Sequence, residues 1–542
     1  MLPPPLAAPT QPRSETLNTR AAGIVGLAVM CSRVLGLARE QIFAALFGGG
    51  ALMDAFTIAF RIPNLLRDLF AEGALSTAFI TIFSKTISRE GDAAAFRLAN
   101  KVTTLTLVVL SSITVLGIIF APWIISVLAP GFDPDKQALT VTLARIMYPF
   151  ILMVSLAALV MGMLNARNVF GVPAMASSFF NLGSIAAGVV LGWLFDPHFG
   201  PHALLGLALG TLIGGLLQLG MQLPALRREG FVFRPDLAWR DRGVAAVLQL
   251  MVPSVIAASS TQVNVMVNSV FASHLGNGPT YWLSIAFRLM QLPLGIFGVA
   301  LGTVSLPLLA RLAVAGNRDG FRTELARGIR LAFLMTIPAT VGLIVLAGPI
   351  VSVLYRHGRF TVHEAQEAAA DLQYYALGLV GYASLKVLVN AFYAIDRRKT
   401  PMFVSFAAIG LNLLFNWLFT WHLGWGHRGL AFSTACIATI NFLVLFILMR
   451  RELGRFYSGA LGSLTLRVGL AAGVMAAVCM ASMQWVLPGW EVTGFWVRLA
   501  WLMATIVVAT TAFSVCATLL KVSELTAITA AFKRRLNRTG AR

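Results

Sequence analysis

Charged side chains recur at helical intervals inside segments that are otherwise apolar enough to sit in a membrane. Segment 22–47 carries Ser32, Arg33, Arg39 and Glu40, and segment 54–84 carries Asp54, Arg61, Asn64, Arg67, Asp68 and Glu72. Arg33 and Glu40 are seven residues apart on one helical face. Arg61, Asn64, Asp68 and Glu72 fall at i, i+3, i+7 and i+11, a single polar stripe. An ionised side chain at mid-bilayer costs at least about 2.5–3.5 kcal/mol, so such faces turn toward protein or water. Pro63 and Gly73 interrupt the second stripe, as expected where backbone bends around a cavity. Segment 280–310 repeats the theme with Arg288 and Gln291, followed by Pro293, Gly295, Gly298 and Gly302.

The sign of these charges sets the chemistry. Arg33, Arg39, Arg61, Arg67, Arg288 and Lys386 stand against Glu40, Asp54, Asp68 and Glu72, an excess of cations. A guanidinium fork grips phosphate or carboxylate with two parallel hydrogen bonds, so a wet cavity of this kind favours an anionic ligand. Arg67, Lys386 and Arg145 could instead snorkel to the membrane surface. Ser32, Arg33, Arg39, Asp54, Arg61, Asn64, Arg67 and Arg288 are the candidate binding residues. No catalytic constellation accompanies them: there is no P-loop, GxSxG or HExxH motif. The seven histidines lie in or beside expected outside loops and read as solvated. Neither a metal nor a cofactor is expected.

The elements that position these residues follow from composition. Of 542 residues 58% are hydrophobic and only 12% charged, about half the charged fraction of a soluble domain. The net charge of +20 would suggest nucleic acid in a soluble protein. Here the basic residues alternate with long apolar runs, which points to loops facing anionic lipid and to no nucleic-acid partner. Cys31, Cys436, Cys479 and Cys516 all lie in apolar stretches without ligand spacing.

At about 20 residues per crossing, the chain reads as an all-α polytopic membrane protein with about fourteen spans. They lie near 22–47, 54–84, 102–129, 138–165, 173–195, 203–224, 243–274, 280–310, 331–355, 366–395, 401–422, 428–449, 463–487 and 494–520. Lys and Arg crowd alternate loops, including Arg227, Arg228, Arg234, Arg240 and Arg242, while the opposite loops hold little beyond Lys136, Arg356 and Arg359. Both termini are therefore expected in the cytoplasm.

The segments also repeat. FAALFGGG at 43–50 resembles FASHLGNG at 271–278, IAFR at 58–61 recurs at 285–288, and Pro173 with Ser177 matches Pro401 with Ser405. Six spans per copy leave both copies in one orientation, a plan common among transporters. The expected organisation is a cytoplasmic tail (1–20), an N-lobe (21–224), a cytoplasmic linker (225–242), a C-lobe (243–455), a C-terminal helix pair (456–520) and a basic cytoplasmic tail (521–542).

SRVLGLARE (32–40), FRIPNLLRDLFAEGALSTAF (60–79), APGF (129–132), FRLMQLPLGIFGVALGTVSLP (287–307) and DRRKTP (396–401) together resemble the MurJ (MviN) family of the MOP exporter superfamily, from about residue 20 to about 520. The resemblance implies two lobes plus a final helix pair. It implies a bacterial inner-membrane flippase for lipid II, the undecaprenyl-diphosphate-linked disaccharide-pentapeptide from which peptidoglycan is built. The family's cavity arginines fall on Arg33, Arg39, Arg67 and Arg288, and its acidic residue after the first outside turn on Asp54. Phe287, Gln291 and Asp68 depart from the family pattern. The implied partners are lipid II, membrane lipids and other cell-wall synthesis proteins. A cation-coupled multidrug exporter of the same superfamily, or a non-transporting membrane scaffold, are the rival readings. The exporter would line its cavity with carboxylates and aromatics.

Overall fold

The computed structural model describes residues 19–68, 75–454, 460–485, 493–522 and 524–525. The leading residues to Asn18, Glu72, Gly73 and the tail from Thr526 lie outside them. Among the described residues every regular element is a helix. Within hydrocarbon a lone segment can satisfy its own backbone groups only as helix.

The chain begins with α1 (Thr19–Phe47), α2 (Ala51–Leu66), α3 (Leu75–Glu90) and α4 (Asp92–Leu128). Next come α5 (Pro134–Met147), α6 (Phe150–Ala166), α7 (Gly171–Phe195), α8 (Ala203–Gly220) and the short α9 (Leu223–Arg228). A second series follows: α10 (Arg242–Ser273), α11 (Pro279–Val314), α12 (Arg318–Val345), α13 (Ala347–Tyr355), α14 (Val362–Ala376) and α15 (Leu379–Ala394). The last helices are α16 (Lys399–Asn416), α17 (Gly426–Leu453), α18 (Ala460–Trp485) and α19 (Phe495–Leu519).

Each of the fourteen expected segments contains helix, but several are broken. Segment 138–165 divides at Pro149, which starts α6, and 366–395 divides at Gly378, which starts α15. Proline lacks the N–H that would continue a helix and glycine tolerates the bend, so both breaks fall where the backbone is weakest. Segment 54–84 is not one helix either: α2 ends at Leu66 and α3 starts at Leu75. Among the described residues nine helices or joined pairs are long and apolar enough to cross a membrane, and α14 with α15, bent by 43°, makes a tenth. Neither α1 nor α2 is among them, and α2, at 16 residues, is too short to cross by itself.

Packing is closest between α7 and α8. Gly183, Gly188 and Gly192 face Gly206, Gly210 and Gly214, steps of four or five residues without side chain that bring the two backbones together. Helix α1 lies against α7, α5 and α6 flank α8, and α3 and α4 complete the first series. In the second series α11, α12, α14, α15 and α17 pack on one another, and α16 joins α17 to α10. Helices α18 and α19 pair and lean on α12 and α13. Outward-facing side chains such as Ile119, Phe120 and Trp123 on α4, and Trp496, Val507 and Val515 on α19, are exposed. Apolar surface on this scale needs lipid to cover it, with tryptophan near the helix ends.

The connection before α10 is tied to α4. Lys101 Nζ donates to Asp241 at 2.8 Å, which holds that carboxyl below the usual range, and Asn100 Oδ1 accepts from the Arg234 N–H at 3.0 Å. Asp241 also caps α10 by accepting from the Gly243 N–H.

A leucine at Gly210 tests the α7–α8 contact. Its Cβ would stand 2.5 Å from the Gly188 backbone nitrogen, so the helices must separate, at a cost of about 1–3 kcal/mol. Gly210→Leu is expected to lower the thermal midpoint in detergent by several degrees. Gly220→Ala, with nothing within 4 Å of the new methyl, is expected to leave it unchanged or slightly raised.

Candidate substrate-binding cavity

Helices α1 and α11 run past one another in opposite directions. Arg288 of α11 forms an ion pair with Glu40 of α1, and seven residues on, the guanidinium of Arg33 rests beside Gly295. A side chain at 295 would intrude, since a Cβ there would lie 3.0 Å from Arg33 Nη1. The two helices share no extended backbone packing among the described residues; long side chains bridge the gap. Arg39 lies 3.7 Å from Glu40, stacks over the Phe180 ring at 5.1 Å and is within electrostatic reach of Arg67 and Arg288. Arg67 pairs with Asp68 at 2.9 Å, and Gln262 reaches the other oxygen of that carboxylate at 3.4 Å. Two guanidiniums, Arg39 and Arg288, thus converge on the Glu40 carboxylate.

Arg61 sits elsewhere on α2. It lines a cavity of about 450 Å³ together with Asn264, Gln291, Tyr375, Tyr382 and Lys386. The Arg61 Nε is buried without a hydrogen-bond partner. Lys386 faces this cavity, which argues against the snorkelling alternative. Arg145 instead donates to the Ile118 carbonyl at 3.2 Å and joins α5 to α4. Asn64 is half-buried, one turn beyond Arg61. Ser32 contributes its carbonyl, which accepts from Asn181 Nδ2 at 3.1 Å.

Asp54 is not brought to these residues. It is fully buried at the end of the bundle next to Gly48, 2.9 Å from Lys136 Nζ. Its two oxygens accept from the N–H groups of Gly278 (2.6 Å) and Tyr281 (2.9 Å), so the carboxylate from α2 caps the N-terminus of α11. Lys136, expected as a loop charge, is buried too. It donates to Asn277 Oδ1 at 3.0 Å and lies over the Phe132 ring at 3.9 Å. The same end is closed by Gly49 N–H to Glu364 Oε1 (2.9 Å), Gly131 N–H to Ser273 Oγ (3.1 Å) and Arg359 Nη1 to the Phe199 carbonyl (2.7 Å). Gly48 turns with φ 75°, and a Cβ at Gly49 would meet the Phe360 ring at 2.7 Å, so the first two glycines of the GGG run are what this joint requires.

One histidine departs from expectation. His427 is largely buried, with Nδ1 2.6 Å from the fully buried Asp371 and Nε2 3.2 Å from Glu367, which also pairs with Arg428. The partners sit on α14, 56 residues away for Asp371, so no local spacing reveals them. For Lys136 a signal existed: it is a lone lysine in a loop otherwise poor in cations.

The model of the family described as lipid II flippase MurJ matches residues 43–504. The chain belongs to that family. A relative from Burkholderia cenocepacia named lipid II flippase MurJ is 36% identical over 471 residues, covering 86% of this chain and 89% of its own length. Another from Haemophilus influenzae, a probable lipid II flippase MurJ, is 33% identical over 502 residues, covering 89% and 95%. The fold matches a solved MurJ structure in an inward closed conformation, with a TM-score of 0.74 at 23% identity and coverage of 92% and 98%. An inward-facing multidrug resistance MATE transporter of the MOP superfamily shares it at a TM-score of 0.65 and 14% identity, covering 80% and 98%. In this MurJ-family chain the arginines of α1 and α11 are spatial neighbours.

Removing one partner of a buried ion pair leaves the other uncompensated, at about 3–5 kcal/mol. Asp54→Ala and Lys136→Ala are each expected to lower thermal stability in detergent sharply. The double variant is expected to lose clearly less than the sum, and strict additivity of the two losses would refute the coupling.

Proposed function

We propose that this protein flips lipid II from the cytoplasmic to the periplasmic leaflet of a bacterial inner membrane by alternating access. The observation that carries the reading is the convergence of arginines between α1 and α11, in which Arg39 and Arg288 meet on Glu40 and the Arg33 guanidinium lies seven residues along beside Gly295. A diphosphate entering hydrocarbon loses a hydration shell that apolar surroundings cannot replace. Guanidinium forks held in place by helices supply that shell. A carrier of organic cations needs free carboxylates at the same place, and Glu40 and Asp68 are already engaged by arginine.

We take 21–224 and 243–455 as the rocking units, joined by 225–242, with 456–520 as an added pair and 521–542 as a cytoplasmic tail. Asp54 and Tyr281 are 227 residues apart, the offset of the sequence repeat, and they touch. Equivalent positions of two copies meet only near the axis relating them, which supports motion pivoting at the Gly48 end. The basic loops favour cytoplasmic termini, and that orientation sets the Gly48 end at the periplasmic face. Release of cargo there requires the Asp54 carboxylate to leave the N-terminus of α11. The polyprenyl tail stays in lipid, along the exposed apolar faces of α18 and α19.

Arg33→Ala and Arg288→Ala are expected to abolish transfer of labelled precursor across the membrane while the protein still inserts at normal level. Arg→Lys at either position should keep partial activity, because lysine retains the charge and loses the fork. Full transport by a well-expressed Arg288→Ala protein would contradict the assignment.

A further inference from the structure

The cavity around Arg61 differs in chemistry from the arginine cluster beside it. The cluster offers guanidinium donors to oxygen. Around Arg61 two cations, Arg61 and Lys386, are joined by amides and hydroxyls that both donate and accept, and among the described residues no carboxylate lines the wall. Its volume of about 450 Å³ falls within the ordinary range of ligand pockets, about 300–1,000 Å³, and exceeds what a diphosphate fills.

Part of the wall is already committed. Asn268, Asn412, Asn416 and Thr434 hydrogen-bond to one another at 2.8–3.2 Å and fix α10, α16 and α17 in place. Other atoms are not committed. The Arg61 Nε and the Asn264 Oδ1 are both buried without a hydrogen-bond partner, one donor and one acceptor. A peptide group carries the complement of each, and buried polar atoms are rarely left unpaired.

Position adds to composition. Gln291 lines this cavity three residues after Arg288 on α11, about 4.5 Å along the axis. Arg61 precedes Arg67, the residue that ends α2, by six residues, about 9 Å. One extended headgroup can therefore span both places.

We propose that the Arg61–Lys386 cavity is a second subsite, which receives the peptide of the lipid-linked headgroup and pairs its carboxylates while the diphosphate occupies the arginine cluster. This rests on the lipid II reading and deepens it. The peptide is the part of that headgroup with both carboxylates and a run of amides, which is what two unopposed cations among amide side chains fit.

The test uses the full-length protein in nanodiscs and two soluble short-chain probes. One is a polyprenyl-diphosphate disaccharide with its pentapeptide, and the other is the same molecule without the peptide. Wild type is expected to bind the first at least about tenfold more tightly, the scale of one or two charge-assisted hydrogen bonds. In Arg61→Gln/Lys386→Gln the ratio of the two affinities should fall toward one, whereas Arg288→Ala should weaken both probes together. Gln291→Leu is a second variant for the same readout should the double variant fold poorly, and amidating the peptide's carboxylates should mimic the double variant on wild type. Equal affinity of wild type for the two probes, or equal losses on both in the cavity variants, would overturn the subsite and leave the diphosphate reading standing. Binding of neither probe by wild type would overturn both.

Discussion

A guanidinium inside a membrane span must be met by protein or by trapped water, because hydrocarbon offers neither counter-ion nor hydrogen-bond acceptor. In this chain Glu40 is the meeting point. It lies between Arg39, its neighbour on α1, and Arg288, which reaches across from α11. Around that carboxylate the positive charge is incompletely balanced. On the proposed function that imbalance is what cargo completes: a satisfied pair has nothing left to offer a ligand, whereas surplus donors have.

The other buried carboxylate shows the opposite condition. Asp54 is surrounded by a lysine and two backbone N–H groups at 2.6–2.9 Å, so both of its oxygens are engaged. It joins a helix of the first series to the start of one in the second. Two acids of similar sequence context therefore act differently, one as a closed joint at the Gly48 end and one as partial counterweight to a cluster of cations. A transporter that rocks needs both kinds of contact: a joint that can be broken as a unit, and a site whose charge is completed only by cargo.

Rigid pieces are needed for such a joint to transmit motion. The glycine faces of α7 and α8 bring backbones close, and α1 rides on α7. Arg33, Arg39 and Glu40 thereby belong to a stiff unit. Arg288 and Gln291 belong to α11, which is packed on α12, α14 and α15. Between α1 and α11 there are long side chains and little backbone packing, so the cluster sits where two well-packed bodies are least tied together.

Much of this was legible from residue order alone. Hydropathy and helical period are local properties, so the membrane class, the helical segments and the charged faces of α1 and α2 followed from spacing. Partnership was not legible. A carboxylate on a helical stripe reads the same whether it meets arginines of two helices, as Glu40 does, or is capped inside a joint, as Asp54 is. Lys136 read as a loop charge and His427 as a solvated loop residue until α2 and α14 supplied Asp54 and Asp371. Which charges stay available to a ligand is decided by what distant helices bring within about 3 Å, and that distance exists only once the chain has packed.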